Sequence, residues 1–181
     1  GLAQSSEPVV EVAAIKFKNL SDDWVQMEVQ LRAGRNTLPN ARNERFVDNI
    51  KVMGYFAYEV KTNETGFDFY KAEVEVISIE QGKKQNVYFF MPGVVAKRDN
   101  LRKTPEYYFV ALEVDGVVQP MSTNAYSNKL NEQSIVSMKT RADAESSVND
   151  FILKPLYNTP YIYLGAQIDD VAPLIIPEAK R

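Results

Sequence analysis

Hydrophobic and polar residues alternate along much of this chain, and the clearest run lies between Val25 and Ala33. The apolar residues there are Val25, Met27, Val29, Leu31 and Ala33, and the polar ones are Gln26, Glu28, Gln30 and Arg32. A period of two residues is typical of a strand with one buried face. The pattern predicts a strand whose apolar side chains are buried and whose polar side chains Gln26, Glu28 and Gln30 are exposed.

The preceding segment, Val9–Lys18, is also strand-like, but its apolar residues change sides. Val10 and Val12 are at even-numbered positions, whereas Ala13, Ile15 and Phe17 are at odd-numbered positions, which face the other side of a regular strand. A β-bulge adds one residue to one strand of a pair, so it would keep all five side chains on the buried face. The sequence therefore predicts a bulge near Ala13-Ala14.

Residues 19–23 join these two strands, and they include Asp22 and Asp23 beside the chain's only tryptophan. Asp and Asn are frequent in turns because their side chains bond nearby backbone N–H groups. Two adjacent carboxylates point apart in an extended chain, and a calcium site would need several more oxygen ligands in a loop-type spacing that is missing here. The pattern favours a hairpin turn over an acid–base pair or a metal site.

Further strands are predicted from the same kinds of pattern and from the turn residues between them. They cover Phe46–Val52, Tyr55–Lys61, Phe67–Ile79, Asn86–Met91, Glu106–Val114 and a last edge strand over Tyr161–Leu164. Gly54 interrupts the first two, and it could be a bulge or bend within one long strand. Asp115-Gly116, between Val114 and Val117, predicts a hairpin with a type I′ turn. About seven to nine such strands indicate an antiparallel, immunoglobulin-like β-sandwich.

The chain changes character after Pro120. Val148, Phe151 and Ile152 have the i, i+3, i+4 spacing of a helix. The spacing predicts one short helix between Ala142 and Leu153, which begins near Asp143 or Ser146 and ends before Pro155.

A length of 181 residues is typical of one domain. We interpret residues 1–8 as a disordered segment left after removal of a signal peptide, because Leu2-Ala3-Gln4 resembles the end of such a signal. An arbitrary truncation of a cytosolic protein is the alternative. Residues 9–165 would form the sandwich, and residues 166–181 a C-terminal tail that is loosely held beyond Asp170.

The composition excludes several classes of protein. The chain has no cysteine and no histidine, which removes thiol nucleophiles, the most common general base and most zinc sites. Its net charge of −3 argues against nucleic acid as a partner. Without a phosphate-binding loop or a GxSxG motif, we expect no enzyme, no catalytic residue, no cofactor and no metal. These criteria do not exclude an enzyme that uses a pair of carboxylates, since its two acidic residues come from distant strands and form no local motif.

The densest cationic cluster lies in the loop 95–103, where one acid, Asp99, accompanies four cations: Lys97, Arg98, Arg102 and Lys103. These four are the candidate partner-binding residues. The cluster could bind a sulfated or sialylated glycan, a lipid head group or an acidic protein surface. The alternative is a solvated loop whose cations pair with neighbouring acids such as Glu106.

Aromatic residues form three runs inside predicted strands: Tyr55-Phe56-Tyr58, Tyr88-Phe89-Phe90 and Tyr107-Tyr108-Phe109. About half of each run must face the core, because side chains alternate along a strand. The outward half has two interpretations. These rings could stack on sugars or anchor a partner, or they could form cross-strand pairs that stabilise the sheet.

Three segments carry a resemblance: FKNLSDDWVQMEVQLRAG, VYFFMPGVVAKRDNLRKTPEYYFVALEVDG and NDFILKPLYNTPYIYLG. Together they resemble a family of exported bacterial immunoglobulin-like, pilus-like proteins associated with pilus-assembly gene clusters. The resemblance implies an immunoglobulin-like sandwich, export and an interaction role, and it supplies no catalytic residue. The chain differs from self-assembling type IV pilins, which polymerise through a long apolar N-terminal helix, because a polar N-terminus here leads directly into a strand. Either that helix was removed or the protein is not a core subunit of a filament, and we favour the second explanation.

These observations predict a non-enzymatic structural or interaction domain located in the periplasm, at the cell surface or outside the cell. Its partner would be a protein of the envelope or of a pilus, and no transmembrane segment is expected in this chain. The competing hypothesis is a periplasmic or secreted carbohydrate- or ligand-binding domain, which could be carbohydrate-active.

Overall fold

The alternating apolar stretches form strands in a computed structural model that describes residues 7–60, 66–149, 152–159 and 170–177. The strands are β1 (Val10–Asn19), β2 (Val25–Ala33), β3 (Phe46–Glu59), β4 (Phe67–Glu80), β5 (Lys84–Met91), β6 (Tyr107–Val114), β7 (Val117–Val118) and β8 (Lys154–Pro155). The helices within these residues are α1 (Gly93–Arg98) and α2 (Glu132–Asn149). Single 3-10 turns lie at Ser21–Asp23, Thr123–Ala125 and Leu156–Asn158.

The described strands form two four-stranded antiparallel sheets that pack as a sandwich, which confirms the predicted mainly β fold. One sheet has the order β1-β2-β5-β8 and the other β4-β3-β6-β7. Aromatic and branched side chains fill the space between them; Phe56 of β3 and Phe89 of β5, for example, are fully buried and meet edge to face across the two sheets. No helix in the described part of the chain combines the length and the apolar composition needed to cross a membrane.

Strand β2 has the predicted bounds, and Val25, Met27, Val29 and Leu31 are all buried as expected. The predicted exposure of its polar face is wrong, because Gln26, Glu28 and Gln30 are half-buried. The reason is the position of β2 inside its sheet, where β1 and β5 flank it on both sides. Long neighbouring side chains then cover the polar ones, as where Glu28 lies between Lys16 and Tyr88.

The predicted bulge in β1 is confirmed, since the register with β2 shifts between Val12 and Ala14. Val10 and Val12 are buried on one side of the bulge, and Ile15 and Phe17 pack against the same core on the other. The Asp115-Gly116 hairpin is also confirmed. Both residues have the positive φ that a type I′ turn requires, 48° and 81°.

Gly54 lies within one long strand, as one interpretation predicted, because Phe46–Val52 and Tyr55–Lys61 are largely parts of β3. The register with β4 and β6 is continuous at Gly54, so no bulge lies there. A Cβ atom on residue 54 would lie 2.8 Å from the ring of Phe56. Glycine therefore gives this buried ring its space while the strand continues.

The predicted short C-terminal helix is wrong in its start and length, because α2 has 18 residues and begins at Glu132. Asn131 begins it: the Ser134 N–H donates to the Asn131 side-chain oxygen at 2.9 Å, as at a helix N-cap. Leu130, Met138 and Ala142 form a buried cluster with the outer face of the sheet of β3, β4 and β6, and helix α2 forms a third layer there.

The tail is held more firmly than expected over residues 170–177. The Asn86 N–H of one sheet donates to the Asp170 carbonyl oxygen at 2.7 Å, and the Ile77 N–H of the other sheet donates to the Pro173 carbonyl oxygen at 2.9 Å. Ala172 between them is buried. The predicted strand Tyr161–Leu164, Phe151 of the predicted helix and residues 1–6 of the N-terminal segment lie outside the described residues.

Candidate functional site

The cationic segment closes the end of the sandwich at which β5 stops. Pro92 ends β5 and its carbonyl oxygen accepts the first N–H groups of α1, from Val95 and Ala96, each at 3.0 Å. The segment predicted as a loop therefore starts as a short helix. Ala96 and Leu101 are fully buried in the main core, and they anchor the segment so that Lys97, Arg98, Arg102 and Lys103 lie exposed on its outer side.

Helix α1 packs against the turn between β1 and β2. Asp22 and Asp23 lie in a 3-10 turn, both with positive φ, and the predicted hairpin turn is confirmed. A Cβ atom on Gly93 would overlap the carbonyl oxygen of Asp22, which shows how closely the two backbones approach. Across the described residues there is no group of three or more acidic side chains placed to hold a metal ion.

The two arginines of the segment are ion-paired. Arg98 donates to both carboxylate oxygens of Asp99, at 2.9 and 2.7 Å, and this hydrogen bonding raises the pKa of Arg98 and lowers the pKa of Asp99. Arg102 donates to Asp23 at 2.6 Å. The expected partner Glu106 instead accepts from Lys129 at 2.6 Å. The predicted pairing of the cations with neighbouring acids therefore holds for the two arginines, but their partners are Asp99 and Asp23 and not Glu106.

The two lysines differ from the arginines. Among the residues that the structure describes, no carboxylate lies within 4 Å of Lys97 or Lys103. Val94 precedes Lys97 by three residues, so both lie on one side of α1, and Val94 is 76% exposed. We call Val94, Lys97, Arg98, Arg102 and Lys103 the cationic tip. To a molecule that approaches this end, the tip presents one apolar side chain and two amines that have no carboxylate at ion-pair distance in the part of the chain that the structure describes.

Most outward aromatic side chains are buried and pack against one another, so they do not form a free stacking surface. Tyr55 stacks on Phe109 with ring centroids 4.5 Å apart, and α2 covers both. Burial raises the pKa of Tyr55 to about 12. Tyr88 and Phe90 on the other sheet are also buried and stacked. Tyr107 is a partial exception, because it is half-buried beside Phe67.

The geometry defines a class of protein, a mainly β sandwich domain, and comparison with known proteins supports this class. No family model and no curated protein matches the chain. A crystal structure of a protein from Akkermansia muciniphila is similar, with a TM-score of 0.68 over 95% of each chain and a sequence identity of 12%. At this identity the similarity shows a shared fold.

Proposed function

We propose that this chain is a non-enzymatic structural and interaction domain, exported and associated with a pilus or with the cell envelope, whose partner is a protein that docks on the cationic tip. The observation that carries the proposal is the pair Lys97 and Lys103, whose amines lack an ion-pair partner among the described residues, beside exposed Val94. Export and the envelope rest on the family resemblance of the three sequence segments.

The grooves of the molecule favour a binding domain over a carbohydrate-active enzyme. The two larger ones lie beside α2 and beside β8, outside the core between the sheets. Glycoside hydrolases place two carboxyl groups about 5–10 Å apart. Of the described residues that line these two grooves, one carries a carboxylate, Glu73.

Charge and exposure together define the partner's surface. A positive patch on a body of net charge −3 attracts an acidic surface at one end while the rest of the body repels it, so the tip also sets the orientation of docking. An exposed apolar residue such as Val94 contributes once water is excluded around it. We therefore expect the partner to present an apolar pocket bordered by acidic residues.

Photo-crosslinking tests this proposal. A photoreactive amino acid at position 94 should give a covalent adduct with a protein in envelope or pilus fractions of the source organism. The matched control is position 136, a valine on α2 that is 66% exposed and is not part of the tip. Adducts of equal yield from position 136, or none from position 94 while the chain still binds the fraction, would reject the tip as the docking surface.

A further inference from the structure

A groove of about 470 Å³ runs between α2 and the outer face of β3, β4 and β6. Ligand sites for small molecules have volumes of roughly 300–1,000 Å³ and combine an apolar lining with a few polar groups. This groove has both kinds of lining. Its floor includes Phe67 and Tyr107, and its α2 side includes Gln133, Ser137 and Arg141.

The floor is an aromatic platform. The rings of Phe67 and Tyr107 are tilted at 52° with centroids 5.6 Å apart, and both side chains are only half-buried. An aromatic face carries negative charge from its quadrupole, so it attracts weakly positive C–H groups. One face of a pyranose ring presents a set of such C–H groups, so a sugar ring can lie against one of these two aromatic rings.

The wall of the groove is a polar ridge of α2. Gln133, Ser137 and Arg141 follow each other at intervals of four residues, so they share one side of the helix and stand about 6 Å apart along it. All three are exposed. The ridge thus offers an amide, a hydroxyl and a guanidinium along the groove, which suits a ligand with several hydroxyl groups.

The charge of the groove is positive. Arg141 and Lys129 line it, and no carboxylate belongs to its described lining. Lys129 is bound to Glu106, while Arg141 forms no ion pair with the side chains that the structure describes, which on α2 are those of residues 132–144. A guanidinium forms two parallel hydrogen bonds with a planar carboxylate, so Arg141 is suited to an anionic group of that geometry.

From these features we infer that the groove binds a sugar residue that carries a carboxylate, with its ring on Phe67 and Tyr107 and its carboxylate on Arg141. A purely apolar ligand would desolvate the polar ridge without replacing its hydrogen bonds. A neutral sugar would lack the charge-assisted hydrogen bonds that a carboxylate forms with Arg141. This site is separate from the cationic tip and does not depend on the proposed docking function.

Titration of the intact chain with methyl glucuronide, and with methyl glucoside as the neutral counterpart, tests the inference by chemical-shift mapping. We expect methyl glucuronide to shift resonances of α2 and Tyr107 with a dissociation constant on the order of 1 mM, which a ligand this small reaches at ordinary ligand efficiency. Methyl glucoside should bind at least several-fold more weakly, because it lacks the charge-assisted hydrogen bonds.

Arg141→Gln should weaken binding of methyl glucuronide roughly tenfold and leave binding of methyl glucoside unchanged. Lys139→Gln is the matched control, because it removes the same charge from an exposed position of α2 that does not line the groove. Ser137→Trp at an exposed helix position should block both sugars without changing the melting temperature greatly. Three results would each overturn the inference: equal affinity for the two sugars, an Arg141→Gln variant that binds methyl glucuronide as tightly as the parent, or no chemical-shift change at millimolar sugar. A preference for a sulfated sugar would show that the ligand's anionic group is not a carboxylate.

Discussion

Replacement of Gly93 by alanine should lower the free energy of unfolding by about 3 kcal/mol, at the upper end of the usual cost of overpacking. The added Cβ would overlap the carbonyl oxygen of Asp22 and lie 3.1 Å from Cδ1 of Trp24. Backbone atoms cannot rotate away as the end of a flexible side chain can. The variant can relieve the overlap only by separating α1 from the turn between β1 and β2, which would also displace the cationic tip.

Urea denaturation of Gly93→Ala beside Gly34→Ala measures this effect. A Cβ on residue 34 would meet the carbonyl oxygen of Val9 at 3.6 Å, an ordinary contact, and neither glycine has a positive φ. Gly34→Ala should therefore stay within about 1 kcal/mol of the parent, the range of permitted Gly→Ala changes. A Gly93→Ala variant as stable as Gly34→Ala would show that α1 does not pack tightly on the turn.

Phe89→Ala should cost about 3–5 kcal/mol, because it removes a fully buried ring from between the two sheets. The Phe89 ring meets Phe56 of the opposite sheet with centroids 6.5 Å apart at 66°. This edge-to-face contact adds to the lost burial and to the cavity that alanine leaves.

Phe46→Ala provides the comparison for Phe89→Ala. Phe46 begins β3 and is 38% exposed, so its truncation should cost clearly less, on the order of 1 kcal/mol. The midpoints of urea unfolding give both values. Equal losses from the two variants would contradict a core centred between the sheets.

Local signals allowed much of the sandwich to be predicted from the sequence. Strict alternation specifies which side of β2 is buried, and the change of parity in β1 has one economical solution, the bulge after Val12. The type I′ turn at Asp115-Gly116 requires a positive φ angle at two successive residues, and few other residue pairs adopt this conformation readily. Each of these features depends on a few adjacent residues.

The missed features depend on contacts between distant parts of the chain. Helix α2 has a narrow apolar stripe formed by Ile135, Met138 and Ala142, and it is stabilised by an aromatic sheet face that comes much earlier in the sequence. The ion pair between Arg102 and Asp23 joins residues 79 positions apart. The sequence does not show which residues far apart in the chain lie close together in the fold. The ion-paired arginines of the cationic cluster could therefore not be distinguished from its two lysines.

The central claim, that Lys97 and Lys103 form a docking surface, is tested most directly by reversing their charges. The variant Lys97→Glu with Lys103→Glu should lose most of its binding to envelope or pilus fractions at 0.1 M salt, where the Debye length is about 10 Å. Binding of the parent chain should weaken as salt rises to 1 M, where the Debye length is about 3 Å. The reversal leaves the ion pairs of Arg98 and Arg102 intact.

The control is Lys83→Glu with Lys84→Glu, the same change of charge at exposed residues before and at the start of β5, at the opposite end of that strand from the tip. Melting temperatures of both variants establish that they are folded. The account predicts that the control binds like the parent and the tip variant does not. A folded tip variant that binds as well as the control would contradict it.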